Sequence, residues 1–374
     1  MKKLFCLLLV FAMAIPAFAE IKVTGHAPTV KGPGADQFNT ETQTAFAKAL
    51  TELNDQLKLF KNSARFLEAM GDSSVYASHG ATTRGYGGYK LFSATVGSII
   101  GVQIPNEIST LMDDFDGLAD SLEKQGDIKL GVSPNVFNAN IGLSMGIMKF
   151  LPEHLGIINR NNLYIGFRIG YFNLPEIGLG EGSKLNYNNL TLGLTANYQI
   201  IPSISLAGLI VWRGVNLGSG IIYNRSKMDF GISVDKEISQ PIGNTGTEIA
   251  LHDPKASVNL STSTVTIPLE AITAVKLLVF NIPLGIGADL AFGSTSLGAG
   301  VDAKIGYNNL PSIYNKDKEG DIAAVGDLSS SPHFFNFKIM TGFGFTAGPF
   351  VLDIPITWYP SGGYNFGVTI GIVF

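Results

Sequence analysis

The stretch GYNFGVTIGIVF, residues 363–374, decides the fold. Tyr364, Phe366, Val368, Ile370, Ile372 and Phe374 take every second place, with Asn365, Gly367, Thr369 and Gly371 between them. Residues two apart in a strand share a face. The segment therefore has one bulky apolar face and one small, polar face, and it keeps both up to the last residue.

The same two-faced pattern recurs upstream. Phe350, Leu352, Ile354, Ile356 and Trp358 form one such face, and Phe335, Phe337, Ile339, Phe343 and Phe345 another. Ile282 to Phe292, Leu297 to Tyr307 and Val265 to Leu277 continue the series in steps of two. Earlier still, Leu190 to Tyr198, Leu163 to Tyr171, Ala139 to Ile147 and Phe92 to Ile104 do the same. Soluble sandwiches alternate too. Here the polar face is Gly, Ser, Thr and Asn, as in a lumen, and aromatics such as Tyr198, Trp212, Tyr307, Trp358 and Tyr364 fall near strand ends, as interface girdles do. The expected fold is all-β: a transmembrane antiparallel barrel of about 12–14 strands, residues 90–374, in the bacterial outer membrane. A closing strand that ends in Phe374 resembles the signal read by the outer-membrane barrel assembly machinery. The resemblance implies that machinery, together with outer-membrane lipid, as partners.

Composition agrees with this. Mean hydropathy is +0.24 with 15% charged residues and 44 glycines, yet the apolar run at the start is too short for the ~20 residues a helical span requires, and no second run reaches roughly 18. At the start, Lys2 and Lys3 precede an apolar run from Leu4 to Ile15, then Pro16 and the triplet Ala17, Phe18, Ala19. That is the pattern of a secretory leader, residues 1–19, cut before Glu20. Cys6 would leave with it, which excludes disulfides, thiolate metal sites and cysteine catalysis. Of 26 basic residues, loss of Lys2 and Lys3 leaves 24 against 30 acidic ones. A mildly acidic chain gives no reason to expect nucleic acid as a partner.

Residues 20–89 read as a helical segment that enters the lumen as a plug or stays in the periplasm. Thr40 and Gln43 form a capping-box signature. Phe46, Leu50, Leu53, Leu57, Phe60, Ala64 and Leu67 then recur at steps of three and four, one helical stripe that Gly71 is expected to end. Asp72 to Tyr89 is rich in Gly and Ser and reads either as a plug or as a surface linker. An even strand number would leave both ends of the chain in the periplasm. Pro105 to Pro134 and Asn309 to Pro332 would then be outer loops, and Ile201 to Ser203 and Gly293 to Thr295 short periplasmic turns. Val234 to Val258 fits this scheme only as a long periplasmic connection or as one more hairpin.

Candidate functional residues are charges in phase with the lumen: Arg168, Glu270, Lys276, Asp289, Asp302, Lys304, Lys338 and Asp353. In lipid at mid-depth a Lys or Arg would cost ~2–4 kcal/mol, so the expected place is the lumen. There they would pair structurally, form a polar constriction, dock the plug, or supply an enzymatic carboxylate pair. His26, His79, His154, His252 and His333 show no metal-ligand spacing, and the glycines around Lys184 lack the context of a phosphate loop. No catalytic, metal or cofactor-binding residue is expected, and no enzyme.

A Gly- and Ser-rich N-terminal segment before roughly twelve to fourteen strands resembles the FadL-type transporters of long-chain fatty acids and other hydrophobic molecules. The resemblance covers the order of parts over most of the chain; the Asn-Pro-Ala motif of that family's hatch is absent. It implies a channel or transporter with a hydrophobic small-molecule ligand. The competing expectation is a surface-exposed structural protein or adhesin without a transport role.

Overall fold

A computed structural model describes residues 22–58, 64–78, 91–104, 129–156, 158–180, 183–206, 209–233, 238–241 and 247–374. Residues 1–19, expected to be a secretory leader, lie outside them. In chain order the elements are β1 (Lys22–His26), β2 (Thr29–Lys31), α1 (Ala35–Lys58), α2 (Ala64–Ser78), β3 (Phe92–Gln103), β4 (Gly131–Ser144), β5 (His154–Leu155), β6 (Ile158–Asn159), β7 (Leu163–Gly180), β8 (Ser183–Ile201) and β9 (Ile204–Ser205). They continue with β10 (Ile210–Ser233), β11 (Ile238–Pro241), β12 (Glu248–Leu277), β13 (Phe280–Asn308), β14 (Asn315–Lys318), β15 (Gly320–Ser330), β16 (Phe335–Ala347), β17 (Phe350–Tyr359) and β18 (Gly363–Val373).

Fourteen of these strands belong to one sheet. Ten of them close on themselves in the order β13, β16, β17, β18, β3, β4, β7, β8, β10, β12 and back to β13. The 12–14 expected from periodicity is the size of the sheet. The ring is smaller, because β1, β9, β11 and β15 pair only along its margins. Closure leaves no open edge, so every backbone group of the wall can find a partner without water.

The faces fall as the alternation required. Ile282, Leu284, Ile286, Phe337, Phe343, Ile354, Ile356, Phe366, Val368 and Ile370 are exposed on the outside. Thr95, Asn138, Thr191, Asn224, Thr264, Asn365 and Thr369 are buried on the inside. Among the described residues no helix is long and apolar enough to cross a membrane. Only helices and closed barrels do so, and this chain crosses as a barrel.

The two ends of the ring differ. At the turn end β12 passes to β13 between Leu277 and Phe280, and β16 to β17 between Ala347 and Phe350. Leu91 donates there to the Phe374 carbonyl at 2.8 Å, and Phe92 lies 5.0 Å from the Phe374 ring. The opposite, loop end carries the long connections from β3 to β4 and from β13 to β16.

The wall also has a low side and a tall side. β17, β18 and β3 are 10, 11 and 12 residues long, about the 9–11 a bilayer crossing needs. β12 and β13 run 30 and 29 residues and rise far beyond it at the loop end. Two expectations are corrected here. Gly293 to Thr295 is no turn but the middle of β13, and the chain from β10 to β12 connects at the loop end. On β13 the exposed apolar residues are even-numbered up to Phe292. Above that point the apolar residues Leu297, Ala303, Ile305 and Tyr307 are odd-numbered and buried. The strand did not reverse; its surroundings changed.

What covers the tall wall is the N-terminal segment. β1 pairs with β15, from Lys22 opposite Val325 to His26 opposite Asp321, and β15 pairs with the upper part of β13. Val30, Ala35, Phe38 and Tyr307 form a small apolar core there, joined by Ile249, Leu310 and Tyr314. Tyr307 donates to the Pro28 carbonyl at 2.8 Å, so it is a core residue of this outgrowth and not part of a lipid girdle. The N-terminal end of the described chain thus sits at the loop end, opposite Phe374, which corrects the expectation that both ends share a side.

Helix α1 begins at Ala35, not at Thr40, whose hydroxyl donates back to the Asp36 carbonyl at 2.7 Å inside the helix. Asn39 explains the earlier start. Its side chain accepts from Val30 N at 2.8 Å and donates to Val30 O at 2.9 Å, pinning the first turns of α1 to β2. The expected single stripe is split: Phe46 and Leu50 lie on α1, and Ala64 and Leu67 on α2. Leu53 and Leu57 side chains, and Phe60, lie outside the described part.

Candidate functional site

The lumen is where this chain concentrates its chemistry, and α2 fills its loop-end half. The helix reads ARFLEAMGDSSVYAS, with small residues through most of its second half. A helix with ordinary side chains is ~10–12 Å across, so only a slender one fits inside a ring of ten strands. The expected stop at Gly71 does not occur, and Asp72 to Ser78 is helix instead of linker. Gly and Ser are poor helix formers, but burial overrides propensity here: Leu67, Ala69 and all residues from Asp72 to Ser78 are inaccessible.

Two wall glycines let the helix backbone in. A Cβ at Gly131 would stand 2.0 Å from the Ala69 carbonyl oxygen, and one at Gly101 would stand 2.1 Å from that of Ser73. At the other end of α2, the last four carbonyls of a helix lack partners within it, and each of these finds a donor. The Ser78 hydroxyl donates to Val75 O at 2.6 Å. Asn365 donates to Tyr76 O, Asn135 to Ala77 O at 3.4 Å, and Arg168 to Ser78 O. The Arg168 guanidinium also suits the negative end of the helix dipole. One turn earlier, Asn224 donates to the Ser74 hydroxyl at 2.9 Å and its carbonyl at 3.2 Å.

Beneath the helix lies a buried charge cluster. Lys338 Nζ is 2.5 Å from Glu270 Oε1 and 2.7 Å from Asp289 Oδ1. Tyr359 donates to the other oxygen of Asp289 at 2.9 Å. The Tyr359 ring stacks on Tyr76 of α2 at 3.8 Å, and the Tyr76 hydroxyl donates to Gln103 at 2.9 Å. Helix and charge cluster are therefore one connected network.

Of the eight charges singled out from the sequence, Arg168, Glu270, Asp289, Lys338 and Asp353 are buried on the inner face. Lys276 is half-buried near the turn end of β12. Asp302 and Lys304 are exposed, a correction: they lie on the outer face of β13 above the change of surroundings, where the outside is wet. Arg168 donates to Asn140 at 2.7 Å as well as to α2.

Sequence reasoning missed a second contact between helix and wall. His333, just before β16, has Nδ1 2.7 Å from Asp72 and Nε2 3.1 Å from Glu68. Its backbone N donates to the other Asp72 oxygen at 2.8 Å. Lys129 approaches Glu68 at 3.9 Å. Among the described residues Glu68, Asp72 and His333 are the one group whose ligand atoms cluster closely enough for a metal ion. Both ring nitrogens already face carboxylates, which suits an imidazolium cation in the place an ion would take. The Asp72 bond, more than the carboxylate charges, holds the His333 pKa above its ordinary value, against burial and Lys129. A raised pKa means the latch is complete below about pH 6.5 and is lost as pH rises through the raised value. With His333 42% exposed, its worth is below ~1 kcal/mol. Protease cleavage of α2 should therefore increase as pH is raised, and His333→Gln should flatten that dependence; a wild-type profile in the variant would refute the latch.

The match to known families can now be placed on this geometry. The sequence profile of the Lsa36-like family matches residues 17–374. The chain belongs to the Lsa36-like family. No curated protein matches it. Solved structures with a similar arrangement include the translocator domain of the autotransporter NalP from Neisseria meningitidis, at 10% identity and TM-score 0.27, over 83% of this chain and 94% of that one. LpxR from Salmonella typhimurium matches at 9% identity and TM-score 0.22, over 75% of this chain and 100% of that one. The toluene transporter TodX of P. putida matches at 9% identity and TM-score 0.23, over 82% and 94%. At such scores these likenesses carry no argument, and the barrel rests on its own closed register. An antiparallel ring with a lipid-facing exterior is the architecture of the bacterial outer membrane, and this Lsa36-like protein is an outer-membrane β-barrel.

Proposed function

We propose that this Lsa36-like protein is an outer-membrane channel held closed by α2, and that it is not an enzyme. The observation that carries this reading is how the helix is held. Its last four carbonyls are received by one of its own hydroxyls and by Asn365, Asn135 and Arg168 of the wall. The neutral bonds exchange for bonds to water at a net cost of ~0.5–1.5 kcal/mol each, and the charged Arg168 bond at ~1.5–3 kcal/mol. A stopper held this way can be withdrawn by exchanging polar contacts for water and giving up the apolar seat of Val75 and Tyr76.

The lining bears on the solute. Asn135, Asn189, Thr191, Asn224, Thr262, Thr264 and Thr266 are buried on the inner face. The apolar cluster of the lumen, Val75, Tyr76, Ala291 and Tyr359, is the seat of the helix itself. This lining favours small hydrophilic solutes over the long-chain hydrophobic ligands that the FadL-type resemblance implies. Both ring nitrogens of His333 are engaged by carboxylates, so this histidine has no free nitrogen to activate a nucleophile.

Deleting residues 64–78 should raise single-channel conductance in planar bilayers by at least severalfold. Unchanged conductance would overturn the channel reading. The competing role, a surface-exposed structural protein or adhesin, is favoured by the tall wall and would then stand.

A further inference from the structure

The route of the chain before its first ring strand carries an inference of its own, independent of conduction. Helix α2 enters the lumen from the loop end. Ala69 packs against Gly131, which pairs with Gln103 at the loop-end terminus of β3. Further along, Ala77 accepts from Asn135, whose strand partner Ile99 lies deeper in the wall. The helix therefore points inward as the chain advances.

The next fixed point is at the other end. Leu91 is hydrogen-bonded to Phe374, and Phe374 N donates to Phe92 O at 2.9 Å. The ring is closed, and α2 lies inside it, between the loop-end segment before it and the turn-end start of β3 after it.

Before α2 the chain is outside the lumen, on the tall wall. β1 continues the sheet beside β15, β2 pairs with β14, and Phe38 of α1 packs 4.9 Å from Tyr314 and 5.6 Å from Tyr307. All of these partners lie at the loop end. The wall shows where lipid stops: Ile282, Leu284, Ile286 and Phe292 are exposed and apolar, while Asp302 and Lys304 on the same face are exposed and charged. Phe292 and Phe334, 5.3 Å apart edge to face, mark the boundary as an aromatic girdle does. Tight turns with the C-terminus at one end, and long connections at the other, are the periplasmic and outer faces of such barrels.

We propose that the protein displays its own N-terminal segment. Residues 22–58 are held on the cell surface against β13 and β15, and α2 follows them into the lumen from that side. The barrel thus acts as the anchor for this segment.

The full-length chain tests this with single cysteines, since its natural Cys6 lies in the leader-like start. Thr51→Cys places a thiol on exposed α1, and Lys149→Cys places one at the turn end. Heat-modifiable migration on gels establishes that each variant is folded. A membrane-impermeant maleimide should label Thr51→Cys on intact cells, and Lys149→Cys only after the outer membrane is permeabilised. Labelling of Thr51→Cys only after permeabilisation, or equal labelling of the two positions on intact cells, overturns the proposal.

Discussion

Replacing Lys338 by alanine is expected to lower the unfolding free energy of the barrel by about 3–5 kcal/mol, the usual cost of breaking a buried ion pair from one side. The ammonium has 1% side-chain exposure, and its partners Glu270 and Asp289 have 2% and 0%. Without it two carboxylates face each other inside the ring, and Tyr359 can donate to only one of them. The penalty is therefore the desolvation of charge left uncompensated, not the loss of a favourable bond. That distinction has its own check. The triple variant Lys338→Met, Glu270→Gln, Asp289→Asn carries no charge at all and should recover most of the loss. Urea unfolding in detergent micelles measures both. A triple variant as unstable as Lys338→Ala would mean that the cluster contributes through shape, and the electrostatic account would fall.

The same cluster shows how far a sequence can be read. Glu270, Asp289 and Lys338 could each be assigned to the lumen because a two-residue period fixes the face of a strand, and a charge on the lipid side is costly. Register is what periodicity does not contain. Nothing in the spacing says that Gly287 of β13 stands opposite Lys338 of β16, so pairing on the inner face was legible and the partners were not. Asp302 and Lys304 failed for a related reason. Above Phe292 the apolar residues of β13 change parity, which looks like a turn to anyone assuming that apolar means lipid. In fact the inner side is covered by Val30, Phe38 and their neighbours, so apolar there means protein core.

Helix α2 was the least legible part. Gly71, Ser73, Ser74 and Ser78 argue against a helix when judged locally. Those small side chains are what a narrow lumen admits, and the energy that makes them helical comes from groups far away in sequence, such as Arg168, Asn224 and Asn365. The His333 contact to Glu68 and Asp72 was hidden for the same reason: its partners lie more than 250 positions away.

Gly101→Val should expel α2 and raise conductance toward that of the chain lacking residues 64–78. The first added carbon would lie 2.1 Å from the Ser73 carbonyl oxygen and 2.6 Å from Ala77 N. Both are backbone atoms, so no side-chain rotation relieves the clash, and overpacking of even a pliable core costs about 1–3 kcal/mol. Moving the helix away also breaks its contacts with Asn365, Asn135 and Asn224, so the cost of the clash and the loss of the anchors reinforce each other. The wall itself should tolerate the change, since Gly101 pairs with Ser133 and Asn365 through the backbone and valine favours strands. Gly178→Val is the control, because a Cβ there meets nothing within 4 Å. The expected pattern is a folded barrel for both variants, with higher conductance and new protease cleavage within α2 for Gly101→Val alone. A Gly101→Val barrel that conducts like wild type and protects α2 would show that the helix can shift within the lumen without opening it, and the close fit at Gly101 would lose its role in closure.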